Sequence, residues 1–300
     1  MVLMLAALAF LAAPASASLT EHARLAAVYD TILSAQFDEA AGGLKETCPP
    51  APEAACKALA TVSRWWQIQI NPEARQLDQA LKDAAADAIA TSERWTRREP
   101  QRAEAWFYLA GSYGPLVQWR ALRGERIAAA LNGKTIKDAL ERALQLDPAL
   151  DDAYFGIGLY HYYAAVAPAY AKLLRWLLLL PGGDRMKGLE EMQRARDRGT
   201  VLRGEADFQL HLVYLWYEHR PRQALELLES LDRRYPSNPL FLERIGELHE
   251  VYLHDLDASA AAWAALRDRA RDRRVYDATT VARRAEEKLR AIASKRSKLF

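Results

Sequence analysis

Only two of the 300 residues are cysteine, Cys48 and Cys56, and no histidine lies near them. That leaves too few ligands for a structural zinc site. A surplus of either charge is missing as well, since 41 Lys plus Arg face 39 Asp plus Glu, interspersed along the chain. The electrostatic footprint of a nucleic-acid-binding protein is therefore absent. Long hydrophobic runs are short of the roughly 20 residues that a bilayer-spanning helix needs. The leucine-rich run Leu173 to Leu180 is interrupted by Arg175, and the N-terminal apolar run stops at Pro14. Runs of alternating β-branched residues are also lacking, which removes the pattern of half-buried strands.

What the chain does have is apolar residues, 51% of the total, so core formation is not limiting. The opening "MVLMLAALAFLAAPASAS" ends in Ala15-Ser16-Ala17, a small-x-small pattern suited to signal peptidase. Residues 1–17 are expected to be a cleaved signal peptide, and the mature protein to be periplasmic or secreted, with an uncleaved anchor as the alternative. No cysteine follows to take a lipid. In an oxidising compartment Cys48 and Cys56 could close a disulfide around "PPAPEAA", in a loop between two helices, while two reduced buried thiols are the other reading. "SKL" at Ser297 to Leu299 is followed by Phe300, so it is not a terminal peroxisomal address.

Nearly every segment after residue 18 has helical periodicity, which makes the fold class all-α. Prolines mark helix starts at Pro100, Pro148, Pro236 and Pro239. The N-terminal helical region, residues 18–98, reads as helices over about 20–46, 52–68 and 72–97. Trp65 and Trp66 are expected to pack against the helical unit that begins near Ala103. A shift of 34 residues lays Phe208 over Leu242, Leu212 over Gly246 and Ala224 over Ala258. "AEAWFYLAGSYG" and "DAYFGIGLYHY" carry the same template, with Trp106, Leu109, Ala110 and Tyr113 matched by Tyr154, Ile157, Gly158 and His161.

On these residues the stretch 103–270 resembles a tetratricopeptide-repeat array, with repeat starts near Ala103, Asp151, Glu205 and Pro239. Ala143, Gly188, Ala195, Ala224, Ala258, Ala262 and Ala265 supply the small residues of the second helices. The resemblance implies an α-solenoid of antiparallel helix hairpins, in which each hairpin covers its neighbour's apolar face. The first two units exceed the period by about 14 and 20 residues and are enlarged repeats. Residues 271–300 read as a basic capping helix and tail. The enlarged second unit is also similar, more loosely, to repeats of the mitochondrial outer-membrane and tetratricopeptide-39 group.

The family lines its concave groove with the first helix of each hairpin. Carried onto this sequence, the groove residues are Glu104, Phe107, Phe155, Leu159, Tyr162, Gln209, Val213 and Trp216, followed by an acidic stripe of Glu243, Glu247 and Glu250. Such a surface would take an extended or helical peptide of another protein with apolar anchors and a basic flank. In the other reading the glutamates are a solvated face and the long insertions cover the aromatics. The leucine-rich helix with Leu174, Trp176 and Leu177 is either core or an exposed docking helix, with membrane contact at most peripheral.

Three motif-like runs fail on mechanism. "AAALNGKT" has Ala128, Gly133, Lys134 and Thr135 where a permissive phosphate-loop expression wants them, but no strand precedes it, and Asn132-Gly133 is expected to be a turn between helices. "HEVYLH" spaces His249 and His254 by five where a helical zinc motif needs four. In "PGGDRMKG" Asp184 is expected to cap the next helix. The expected function is a scaffold that binds another protein and needs no cofactor, metal or catalytic residue. A site around Tyr160, His161, Tyr163 and Asp184 is the enzymatic or small-ligand alternative.

Overall fold

The helical period in the sequence becomes thirteen α-helices among the described residues, with one short 3-10 turn and no strand. The structure is a computed structural model and describes residues 19–167 and 182–297. The N-terminal region holds α1 (His22–Leu33), α2 (Phe37–Thr47), α3 (Glu53–Ile70) and α4 (Asp78–Arg98), the last preceded by the 3-10 turn Arg75–Leu77. There follow α5 (Ala103–Leu122), α6 (Arg126–Leu146), α7 (Ala153–Val166), α8 (Arg185–Arg198) and α9 (Arg203–Trp216). The chain continues through α10 (Pro221–Arg234), α11 (Pro239–Val251), α12 (Leu256–Arg271) and α13 (Ala278–Arg296). The expected leader 1–17, the docking residues Leu174, Trp176 and Leu177, and Phe300 lie outside the described residues. No described helix is long and apolar enough to cross a membrane.

Each described helix packs on the next described one, and apart from the α7 to α8 link the connectors are of a few residues, which brings neighbouring apolar faces together. Small residues set how closely they approach. A Cβ on Gly188 of α8 would stand 2.5 Å from the Tyr162 backbone nitrogen of α7. At Gly246 of α11 it would stand 2.5 Å from the Trp263 indole nitrogen of α12. Cys48, at the end of α2, is joined by a disulfide to Cys56 in the first turn of α3.

Two boundaries differ from the sequence expectation. The segment 20–46 is two helices, α1 and α2, separated at Ala35 (φ 58°), where the Gln36 N–H donates back to the Thr31 carbonyl. An alanine in the left-handed region carries no glycine-like signal, so the break is silent in the sequence. Asn132-Gly133 is not a turn: α6 runs through it, and the connection lies more than two helix turns earlier, at Gly124 (φ 83°). The Arg120 guanidinium binds the Asn132 side-chain oxygen, so that side chain does not compete for the helix backbone. Lys134 pairs with Asp138 one turn on, and the Thr135 hydroxyl donates to the Leu131 carbonyl, as ordinary helix-surface groups. Asp184 does cap α8, accepting from the Lys187 N–H at 3.0 Å.

The chain also closes on itself. Trp66 of α3 is fully buried and lies 4.9 Å from Phe208 of α9 and 6.0 Å from Phe241 of α11, ring centre to ring centre. The Asn238 side chain donates to the Leu33 carbonyl at 2.8 Å, and the Tyr235 hydroxyl to Asp30 at 2.6 Å. Phe37 stacks edge-on against Tyr276 at 4.8 Å. Trp65 and Trp66, about 100° apart on one helix, thus face different partners. Trp65 meets α5, as expected, whereas Trp66 packs against α9 and α11.

Candidate functional site: an apolar inner cavity

Within the closed chain lies a cavity of about 1080 Å³, walled chiefly by α3, α5, α6, α7 and α9. Its lining is mostly apolar. Leu59, Val62 and Trp65 come from α3, Phe107 and Pro115 from α5, Ile136 and Leu140 from α6, and Phe155, Leu159, Tyr160 and Tyr163 from α7. Leu122, Ile127, Trp216 and Tyr217 line it too and are solvent-exposed, Ile127 by 55% and Trp216 by 50%, so they form its mouth.

A polar network occupies the wall between α3, α5 and α9. The Glu205 carboxylate, 3% exposed, accepts from the Tyr29 hydroxyl, the Trp66 indole N–H and the Gln209 amide, each at 3.1 Å. The Gln209 amide also donates to the Gln118 oxygen at 3.0 Å, which accepts from the Trp65 indole at 3.1 Å. Burial pushes the Glu205 carboxyl above its ordinary value, and the three hydrogen bonds oppose that shift without cancelling it. The Tyr29 phenol is held well above its usual range, first by burial and then by the Glu205 charge.

Of the expected groove residues, Phe107, Phe155, Leu159, Gln209 and Trp216 line this cavity. Val213 and Tyr162 do not, since both are wholly buried within the packing. The Tyr162 hydroxyl donates to Glu218, which also holds the Arg185 guanidinium at 2.6 and 2.8 Å. The acidic stripe is not an open end of the groove. Glu243 pairs with Arg284 and Glu250 with Lys295, both on α13, and Glu247 with Arg244 at 2.6 Å. The basic C-terminal helix thus neutralises two of the three glutamates, and Glu243 and Glu250 form an internal interface. Burial lifts the Glu243 carboxyl to about 7 against the pull of Arg284. Glu104 is likewise engaged, by the Thr20 N–H at 2.7 Å and the Arg102 guanidinium.

The residues of the enzymatic alternative do not gather at one point. His161 turns its Nδ1 to Glu191 at 2.6 Å between α7 and α8, and Asp184 is spent as a helix cap. Tyr160 and Tyr163 face the cavity. Sequence reasoning missed Trp65, Gln118 and Glu205 as a linked set. They lie 53 and 87 residues apart along the chain (118 − 65 and 205 − 118), and no motif connects them. No family model matches the chain, and no curated protein matches it.

Proposed function

We propose that the protein is an exported helical-repeat scaffold of the tetratricopeptide type, working in an oxidising compartment. It binds another protein without catalysing a reaction on it. Its docking surface is the apolar mouth of the inner cavity, where an apolar segment of the partner packs against Trp216, Tyr217, Leu122 and Ile127. The observation that carries this reading is the exposure of those four large apolar side chains around one opening, since scattered exposed apolar residues are ordinary whereas clustered ones mark contact sites. Support for the repeat type comes from the pairing of α5 with α6, α7 with α8, α9 with α10 and α11 with α12. These pairs start at Ala103, Ala153, Arg203 and Pro239, close to the repeat starts expected from the sequence. The Cys48–Cys56 disulfide supports the compartment.

The test places a photo-crosslinking residue at Trp216 in intact cells, with the same residue at exposed Glu229 as control. One dominant protein adduct at Trp216, lost when Ile127→Glu charges the opposite lip, is the expected result. Equal labelling at both positions, or no protein adduct at Trp216, would remove the mouth as a docking surface.

A further inference from the structure

Three glycines sit inside helices with no described neighbour that requires them. Gly111 and Gly114 lie in α5 and Gly133 in α6, each about two turns or more from either end, where glycine weakens a helix relative to residues with side chains. None has the positive φ that would call for glycine, and a Cβ on any of them would meet no described atom within 4 Å. Neither turn geometry nor close packing among the described residues accounts for them. All three line the inner cavity, so their common effect is to keep its walls bare.

The polar groups there give a second, independent observation. Tyr108 lines the cavity, is 2% exposed, and its hydroxyl has no hydrogen-bond partner among the described residues. A buried hydroxyl left unpaired is costly, and a ligand atom would relieve that cost. The Gln118 oxygen already accepts from Trp65 and Gln209, so what Gln118 offers a ligand is its NH₂ group. Most charged groups of the wall already have partners, while the buried Nε of Arg244 has none among the described residues. Glu205 accepts three hydrogen bonds, Asp152 takes the backbone N–H groups of Thr200, Val201 and Leu202, and Arg244 pairs with Glu247. Arg126 is exposed at the first turn of α6.

We propose that the cavity binds an uncharged amphiphile of lipid size, its apolar body against the glycine-lined walls of α5 and α6 and its hydroxyl or amide head at Gln118 and Tyr108. The volume of about 1080 Å³ stands at the top of the roughly 300–1,000 Å³ range of small-molecule sites, which suits a long apolar body. An anionic head would face the Glu205 carboxyl, and a cationic one would have to displace hydrogen bonds that the oxygens of Glu205 and Asp152 already accept. This site is separate from the lip residues assigned to a protein partner, and either assignment can fail alone.

The test titrates the purified protein with the uncharged fluorophore N-phenyl-1-naphthylamine and then displaces it with hexadecanol, palmitate or hexadecylamine. Expected is saturable one-to-one uptake, displaced by hexadecanol at a concentration about tenfold below either charged competitor. Gly111→Leu with Gly114→Leu should fill the cavity and weaken uptake by about tenfold or more, while helicity and melting temperature hold or rise, because leucine is the better helix former. Gly133→Leu is the second plug, from the facing helix. Gln118→Leu should keep probe uptake and abolish the preference for the alcohol. Absence of saturable uptake, uptake unchanged in folded plugged variants, or displacement led by a charged competitor would each overturn the proposal. So would uptake seen only after deletion of residues 168–181, which would assign the cavity to the chain's own leucine-rich run. Loss of uptake in the plugged variants with the Trp216 crosslink intact would separate the two sites.

Discussion

His211 of α9 is wholly buried between Phe208 and Arg244. Its Nδ1–H donates to the Phe208 carbonyl, and its Nε2 has no partner among the described residues. Burial depresses its pKa to about 3 from an ordinary value of 6.5, and the nearby Arg244 charge adds to that. The folded state therefore keeps this imidazole neutral while the unfolded chain binds a proton. Stability from this group is complete above pH 6.5 and is lost as pH falls from 6.5 towards 3, by about 2 kcal/mol at pH 5. Urea unfolding at pH 7.5 and pH 5 should show this loss in the wild type and a smaller one in His211→Leu. An unchanged pH difference in the variant would place the acid sensitivity elsewhere. The sequence showed a histidine on a helical face and nothing more, because its depressed pKa arises first from burial in the packed core, with the Arg244 charge of α11 adding to it.

At the level of helices, the α5–α6 connection separates two roles of glycine. Gly124 has φ 83° at the end of α5, a conformation that costs a side-chain-bearing residue roughly 1–2 kcal/mol. Gly133 lies inside α6 with open space where a Cβ would be. Gly124→Ala should thus lower stability by about 1 kcal/mol, and Gly133→Ala should raise it by about 0.5–1 kcal/mol. Thermal melts of the two variants check both signs, and the opposite pair of signs would restore the turn to Asn132-Gly133. The Asn-Gly dipeptide misled because its turn preference is local, whereas here the helix continues with Asn132 held by Arg120. Most other starts and stops were readable, since prolines and an aspartate cap act through the first turn alone.

For the molecule as a whole, the contact of α1–α3 with α9–α11 is the decisive feature. In an open repeat array each unit contacts only its neighbours, and the ends can unfold separately. Here Trp66 ties the first third of the chain to the last, through Phe208, Phe241 and the Glu205 carboxylate. Trp66→Ala should cost about 3–5 kcal/mol and shift one shared unfolding transition seen by both near- and far-ultraviolet circular dichroism. Two separated transitions in the wild type would contradict closure. The same contact explains the fate of the expected groove. Its α11 portion packs against the chain's own α3, its acidic end meets α13, and the α5–α7 portion, with Gln209 and Trp216 of α9, lines the hollow.

Helical period, proline punctuation and near-balanced charge are local properties, carried by residues within one or two turns of each other. The all-helical class and most helix boundaries followed from them. Which faces of those helices remain open depends on residues far apart in the chain, such as Trp66 against Phe208 or Glu243 against Arg284. Nothing in one helix's pattern states which distant helix will bury it, because an apolar stripe is satisfied equally by a neighbour, a ligand or a remote segment. That choice was made by packing, and the packing placed the cavity.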